Sequence, residues 1–151
     1  WSILGFGDKA VEYFRMINPI EHSKTKEAVA KYKVEPYSIP ADVYGVGNLI
    51  GRGGWTWYTG SSSWMYKAGI EYILGLKIVN QTLKIKPAIS SSWKEYSIRY
   101  EYGESVYNIK VKNPNGKNTG VQKFIFNGQE MEEKKITLID NGKINEIEVI
   151  M

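Results

Sequence analysis

The sequence predicts an α+β fold in which helices come first and antiparallel strands follow. Apolar residues recur at helical spacing only in the first half, they alternate with polar ones only in the second, and no βαβ alternation joins the two. The period changes between Gly75 and Gln81, so the expected organisation is a helical segment over residues 1–76 and an all-β segment over residues 77–151.

The first helix is expected over KAVEYFRMI, where Ala10, Phe14 and Ile17 share a face. Asp8 is placed to cap it and Asn18-Pro19 to end it. Ser23 or Thr25 can cap a short second helix containing Ala28, Val29 and Tyr32. From Val34 to Trp57 the periodicity fails. Pro36, Pro40 and the glycines at 45, 47, 51, 53, 54 and 60 predict a long structured loop, and long loops in compact domains are usually functional. A third helix follows Gly60, with Met65, Ile70, Ile73 and Leu74 as its apolar residues and Gly75 as its stop.

Beyond it, LKIVNQTLKIKPAI, YSIRYEYG, VYNIKVKNP, QKFIFNG, KKITLIDNG and NEIEVIM read as about six antiparallel strands with sandwich-like spacing. Asn115-Gly116, Asn127-Gly128 and Asn141-Gly142 mark turns between them.

Composition narrows the function classes. Hydrophobic residues at 42% and charged residues at 24% fit a globular chain rather than a disordered one. No apolar run approaches the roughly 20 residues that span a bilayer. Cysteine is absent, which removes disulfides, a thiolate nucleophile and cysteine zinc sites. His22 is the only histidine, so a histidine-rich metal site is excluded and no Ser-His-Asp triad is indicated; it is read as a capping or surface group. The net charge of +4 comes from dispersed lysines and arginines whose longest run is Lys134–Lys135. A nucleic-acid footprint needs a clustered stripe, so nucleic acid is not an expected partner. The first residues, WSILGFGDKA, carry no secretory signal. Opening on Trp1 leads to the expectation of a segment from a longer polypeptide.

The loop chemistry leaves alternatives. Trp55, Trp57, Tyr58, Trp64 and Tyr66 fall within twelve positions. Trp64 and Tyr66, on the third helix, are expected in the core. Trp55 and Trp57, beside glycines, offer flat faces suited to pyranose rings. Thr59-Gly60-Ser61-Ser62-Ser63 serves either as an ordinary N-cap or as an anion site, where hydroxyls, free N–H groups and the helix dipole hold a phosphate. Gly60 would allow close backbone approach. Arg52 can bind a carboxylate or a phosphate through its planar fork. Glu35-Pro36-Tyr37 and Asp42 place carboxylates in the same irregular stretch.

Taken together, INPIEHSKT, YKVEPYSIPADVY, GRGGWTWYTGSSSWMYKAGIEYILGLK and LKIKPAISSSWKEYSIRYEYGESVYNIKVKNPNG follow one another as in glycoside hydrolase family 94. The resemblance runs from about Trp1 to Gly116, while Lys117 to Met151 carry no recognised motif. This family, formerly glycosyltransferase family 36, holds inverting β-glycoside phosphorylases, and a related module ends the cyclic β-1,2-glucan synthases. The GRGGWTWYTG wording looks closer to the β-1,2-glucan branch.

The resemblance implies the last helices of an (α/α) toroid followed by an antiparallel β-sandwich-like module. It implies that Thr59 and Gly60 bind phosphate, with Arg52 nearby. It further implies that Glu35 of the EPY motif lines the sugar acceptor subsite and that Trp55 falls where the loop approaches the sugar; Tyr37 and Trp57 are expected to bind sugar beside them as aromatic platforms. Inorganic phosphate is then a co-substrate and no cofactor is implied; the expected partners are a β-glucan oligosaccharide and phosphate. The family's catalytic aspartate lies upstream of the matched region, so no general acid is assigned here and the chain alone is expected to be inactive. A phosphate-binding histidine of the family also lies upstream, and His22 does not take that role. Ser62-Ser63 stand where relatives often carry Ala-Gly. The location implied is cytoplasmic, or the cytoplasmic side of a membrane-bound synthase. The competing expectation is a non-catalytic carbohydrate-binding module. An incomplete toroid would also expose apolar helix faces, from which self-association is expected.

Overall fold

The computed structural model describes residues 1–151. Helices precede strands and the two are segregated along the chain, consistent with the α+β class. By spatial contact the chain forms two compact units, Val11–Gly69 and a second made of Trp1–Ala10 with Ile70–Met151.

In the unit Val11–Gly69, helix α1 (Gly7–Ile17) enters from the other unit and ends before Asn18-Pro19 as expected. The prolyl residue that follows cannot continue a helix. Helix α2 (Lys26–Tyr32) is capped by Thr25, whose hydroxyl accepts from the Ala28 N–H at 3.1 Å. Its C-cap is Lys33 in a left-handed conformation, with the N–H returning to the Val29 carbonyl. Tyr32, the last residue of α2, is 1% exposed. Its ring stacks on His22 at 4.9 Å, and His22 donates from Nε2 to the Met16 carbonyl near the C-terminus of α1 at 2.6 Å. The lone histidine thus has the capping position read from the sequence.

Helix α3 (Thr59–Lys67) passes directly into a π-helical segment, Ala68–Ile73. Here one expectation is corrected. Trp64 and Tyr66 are 68% and 73% exposed, and Met65 between them is the buried residue. Aromatic area alone therefore misassigned the inward face of α3.

The second unit is built on two sheets. Strands β1 (Leu76–Val79), β2 (Thr82–Ile85) and β7 (Lys135–Thr137) form one in the order β1-β2-β7. Strands β3 (Glu95–Tyr102), β4 (Ser105–Lys112), β5 (Lys123–Phe126), β6 (Gln129–Glu130) and β8 (Ile144–Ile150) form the other in the order β3-β4-β8-β5-β6. Alternation sets the inward faces. Tyr107, Ile109 and Val111 of β4 and Ile147 and Val149 of β8 are all buried, joined by Phe124 and Leu83.

The strand expectations need two corrections. The sheets are not wholly antiparallel, because β4 and β8 pair in parallel with Val106 opposite Ile144. The stretch Leu76–Ile89 also contains a tight hairpin at Asn80-Gln81, with φ of 47° and 63° and no glycine. Asn127-Gly128, with φ of 48° and 84°, closes the β5–β6 hairpin as expected.

Buried polar groups of this unit are satisfied within it. The Tyr107 hydroxyl donates to the Ile139 carbonyl at 3.0 Å and accepts from the Ile139 N–H at 2.8 Å. Asn113 donates to the carbonyls of Trp93 and Lys117 and accepts from the Lys117 N–H. Asp8, expected to cap α1, instead sits inside its first turn. Its carboxylate accepts from Ser90 Oγ, Ser91 N–H and Ser91 Oγ. With Asn118 as the largest contributor, these bonds lower its pKa from 3.8 to about 2. Gly7 before it is required by packing, since a Cβ there would stand 2.1 Å from the Ile89 carbonyl oxygen.

Candidate functional site

The stretch expected as a loop is a short two-armed ribbon in the unit Val11–Gly69. Ala41 N–H donates to Trp55 O, Gly54 N–H to Asp42 O, and Tyr44 N–H to Arg52 O. Val43 bridges Gly53 in antiparallel fashion. Too few bonds form for a named strand, which is why alternation was not visible in so short a segment.

Further along, Tyr58 N–H donates to Ile39 O. The pairing has slipped by one residue between Trp55 and Tyr58, so the second arm holds an extra residue, as in a β-bulge. Trp57 lies in this insertion with φ of 59°. A bulky residue in the left-handed region carries strain of order 1–3 kcal/mol, which tends to persist where side-chain aim matters.

The glycines of GRGGWTWYTG do two different jobs. A Cβ at Gly53 would come within 2.3 Å of Val34 Cγ2 and 2.9 Å of the Tyr32 ring, and one at Gly54 within 1.9 Å of Asp42 Oδ1. These glycines admit the chain's own side chains. The Gly53 N–H also donates to the Tyr32 carbonyl, so the ribbon rests on the end of α2. Gly60 is the opposite case, with nothing within 4 Å of its would-be Cβ.

Glu35, Tyr37 and Trp57 are brought together. Glu35 is half-buried, and its carboxylate accepts from its own backbone N–H and from the side chains of Thr56, Trp57 and Ser38. These bonds, the backbone one first, hold its pKa below the ordinary glutamate value against the opposing effect of burial. A carboxylate held ionised in this way suits hydrogen bonding to hydroxyl groups better than proton donation. Tyr37, 75% exposed, meets Trp57 edge-to-face at 5.8 Å. Trp55 lies on the second arm opposite Ala41 and is 79% exposed. Three aromatic rings therefore stand outward from a backbone that is internally bonded.

The Tyr32 ring lies against Gly53 of the ribbon, and its hydroxyl is buried without a hydrogen-bond partner. Burial, then the Glu35 charge, raises its pKa. Thr56, Ser38 and Tyr32 carry no signal of this supporting role in the sequence. Thr56 lies between two tryptophans and Ser38 three residues after Glu35, positions with no recognisable spacing signal.

Thr59 and Gly60 follow the ribbon immediately and open α3. The N-cap is Tyr58, and no side chain caps the helix. Neither the serines nor Thr59 does so; Ser63 Oγ instead donates back to the Thr59 carbonyl at 3.1 Å. The ordinary-cap alternative is thereby corrected. Ser62 N–H bonds to Tyr58 O, leaving the N–H groups of Thr59, Gly60 and Ser61 at an exposed, positively polarised helix end. Arg52 is exposed on the ribbon, and no hydrogen bond or ion pair joins it to Thr59. His, Asp and Glu side chains nowhere gather as three or more potential metal ligands. No helix is long and apolar enough to cross a membrane.

Comparison with known proteins bears on this arrangement. Residues 1–75 match the catalytic domain of the glycosyl hydrolase 94 superfamily. Over 116 residues, 74% of the chain, the sequence is 42% identical to the cyclic beta-(1,2)-glucan synthase NdvB of Rhizobium meliloti. Over 149 residues, 98% of the chain, it is 32% identical to an N,N'-diacetylchitobiose phosphorylase of Vibrio furnissii. It is 26% identical over 156 residues to a solabiose phosphorylase of Paenibacillus borealis. The chain spans only 4% of the synthase and 18% and 19% of the two phosphorylases. The matches to carbohydrate-active relatives include the ribbon and the start of α3, and the chain belongs to the glycosyl hydrolase 94 superfamily.

Proposed function

We propose that this chain supplies one wall of a phosphorolysis site that cleaves a β-glucoside to a sugar 1-phosphate with inversion. The observation that carries it is the uncapped start of α3 at Thr59-Gly60, immediately after an aromatic ribbon that anchors Glu35. The phosphorylase relatives act with phosphate on a sugar, which agrees with a site holding both.

Each group has a task in this proposal. Thr59, Gly60 and the first-turn N–H groups hold phosphate, with the exposed Arg52 as a counter-charge. Trp55, Trp57 and Tyr37 pack against the sugar, and the ionised Glu35 accepts from its hydroxyls. An inverting hydrolase needs one carboxylic acid for the leaving oxygen and one base for water. Phosphate is already anionic, so the base becomes unnecessary. The protein must then hold phosphate on the face opposite the leaving group. The general acid comes from outside this chain: the resemblance puts the family's catalytic aspartate upstream of the matched region, and neither Glu35 nor Asp42 of the ribbon stands at that position.

Within the same proposal, the helices are the last of an (α/α) toroid and the two sheets form a sandwich-like module. The preferred linkage is β-1,2, the site faces the cytoplasm, and exposed apolar residues of α1 and α3 drive self-association. Sedimentation at micromolar concentration tests the last point, with a monomer as the contradicting result.

The activity test compares the isolated chain with the same chain inside a full-length family polypeptide. The isolated chain is expected to release no glucose 1-phosphate from a β-1,2-glucan with phosphate, whereas the full polypeptide releases it and Thr59→Ala raises its KM for phosphate. Phosphate-dependent release by the isolated chain would refute the assignment of the acid elsewhere.

A further inference from the structure

The three-stranded sheet carries a row of like charges. Lys84 of β2 stands in register with Lys77 of β1 on one side and with Lys135 of β7 on the other. Leu83 and Ile85 are buried while Lys84 and Lys86 are exposed, so Lys86 shares the same sheet face. Like charges directly opposite one another destabilise a sheet. The flanking lysines find relief within the chain: Lys77 Nζ lies 4.6 Å from the centroid of the Tyr72 ring, and Lys135 pairs with Glu133 at 2.8 Å. Lys84, in the middle, makes no hydrogen bond or ion pair of its own. It exerts only the smallest of the pulls on the Glu133 carboxylate.

This face borders a cavity of about 580 Å³. Lys77, Lys84, Lys86 and Lys134 line it, and Glu71 is the one carboxylate among the lining residues. Residues 2–5 and 119–121 complete its wall. Lys134, with φ of 50°, donates from Nζ to the Val121 carbonyl at 2.6 Å and so ties the β7 end to that wall. A concave site of this size accommodates a small molecule. Its charge is confined to four lysines around one concavity, whereas a nucleic acid would require an extended stripe.

We propose that this cavity binds a small multivalent phosphate anion, with Lys84 as its central contact. Ammonium groups bind phosphate as point charges, and four around one carboxylate leave a net attraction for more than one negative charge. An anion seated over Lys84 removes the repulsion along the row. Two sources share this chemistry: pyrophosphate-type inorganic anions, and sugar phosphates, which would also use the Tyr72 ring and the apolar residues of 2–5. The proposal is independent of the phosphorolysis site, because no residue of the ribbon or of α3 contributes to the cavity.

The full chain is titrated with pyrophosphate and, separately, with glucose 1-phosphate at constant ionic strength. Calorimetry gives the affinity, and amide NMR shifts in β1 and β2 locate the site. Saturable binding of at least one probe is expected at the β1 and β2 amides, weakened there roughly tenfold or more by Lys84→Gln and unchanged there by Thr59→Ala, whose own anion site reports at the amides of α3; the tighter probe identifies the source. Without ligand, Lys84→Gln is expected to raise Tm, because it breaks the row, and to abolish the rise that the anion produces. The proposal is overturned if neither probe binds, if Lys84→Gln binds as well as the parent, or if sodium chloride at matched ionic strength stabilises equally. Loss of binding by Thr59→Ala with retention by Lys84→Gln overturns it as well, and assigns the anion to the start of α3.

Discussion

In the β-rich unit several polar and aromatic groups close on the chain itself, with Tyr107, Asn113 and Phe124 among them buried. Tyr107, Asn113 and Asp8 each hold two or more bonds within the unit, and Phe124 and Tyr107 are at most 1% exposed. The ribbon of the other unit does the reverse. Its backbone is bonded internally, yet Tyr37, Trp55 and Trp57 face outward, the Tyr32 hydroxyl has no partner, and α3 begins without a cap. Where the backbone is satisfied and the side chains are not, the unmet groups are available for a ligand. Under the proposed function, chemistry and stability are thus allotted to different residues of one chain.

The largest effect expected from this contrast is in the β unit. Phe124→Ala, at a fully buried position, should cost about 3–5 kcal/mol in denaturant unfolding, while Trp55→Ala should change stability by less than about 0.5 kcal/mol. Comparable losses at the two positions would break the contrast. Gly53→Ala inserts a methyl group against Val34 and Tyr32, and should cost about 1–3 kcal/mol and weaken saccharide binding at the same time. Tyr107→Phe leaves both backbone groups of Ile139 without their partner, and about 1–3 kcal/mol should be lost with saccharide binding intact.

Smaller still is Trp57→Gly. Relief of the left-handed backbone should raise Tm slightly even as the proposed saccharide site loses its ring. The pH response is the mildest. Asp8 has a folded pKa of about 2 against 3.8 unfolded, so its stabilisation is complete above the higher value and disappears as pH falls through the lower one. Asp8→Asn should flatten that acid limb in a pH-dependent melting series, and an unchanged limb would remove Asp8 from the account.

Much of the α+β order was legible because period and turn chemistry are local properties. Thr25, Asn18-Pro19 and Asn127-Gly128 act at the positions their types predict. The misses have non-local causes. Parallel pairing of β4 with β8 depends on residues about forty positions apart and leaves no mark in either strand. Asn80-Gln81 forms a tight turn without glycine, so the signal for it was absent. Trp64 and Tyr66 face outward because Met65 takes the inward position, a choice that only packing decides. In the site, Thr59, Gly60, Glu35 and Trp57 stood out through motif and composition. The support from Thr56, Ser38 and Tyr32 arises from the bulged ribbon, whose register no pattern in the sequence specifies.

The most direct test titrates the chain with phosphate and with a β-1,2-linked gluco-oligosaccharide in a background where Lys84→Gln silences the second anion site. Thr59→Ala is expected to abolish phosphate binding and spare the saccharide, and Trp57→Ala to weaken the saccharide and spare phosphate. Binding of neither ligand, or saccharide binding lost with Trp57→Ala while phosphate binding is indifferent to Thr59→Ala, would contradict the account and leave a carbohydrate-binding surface in its place.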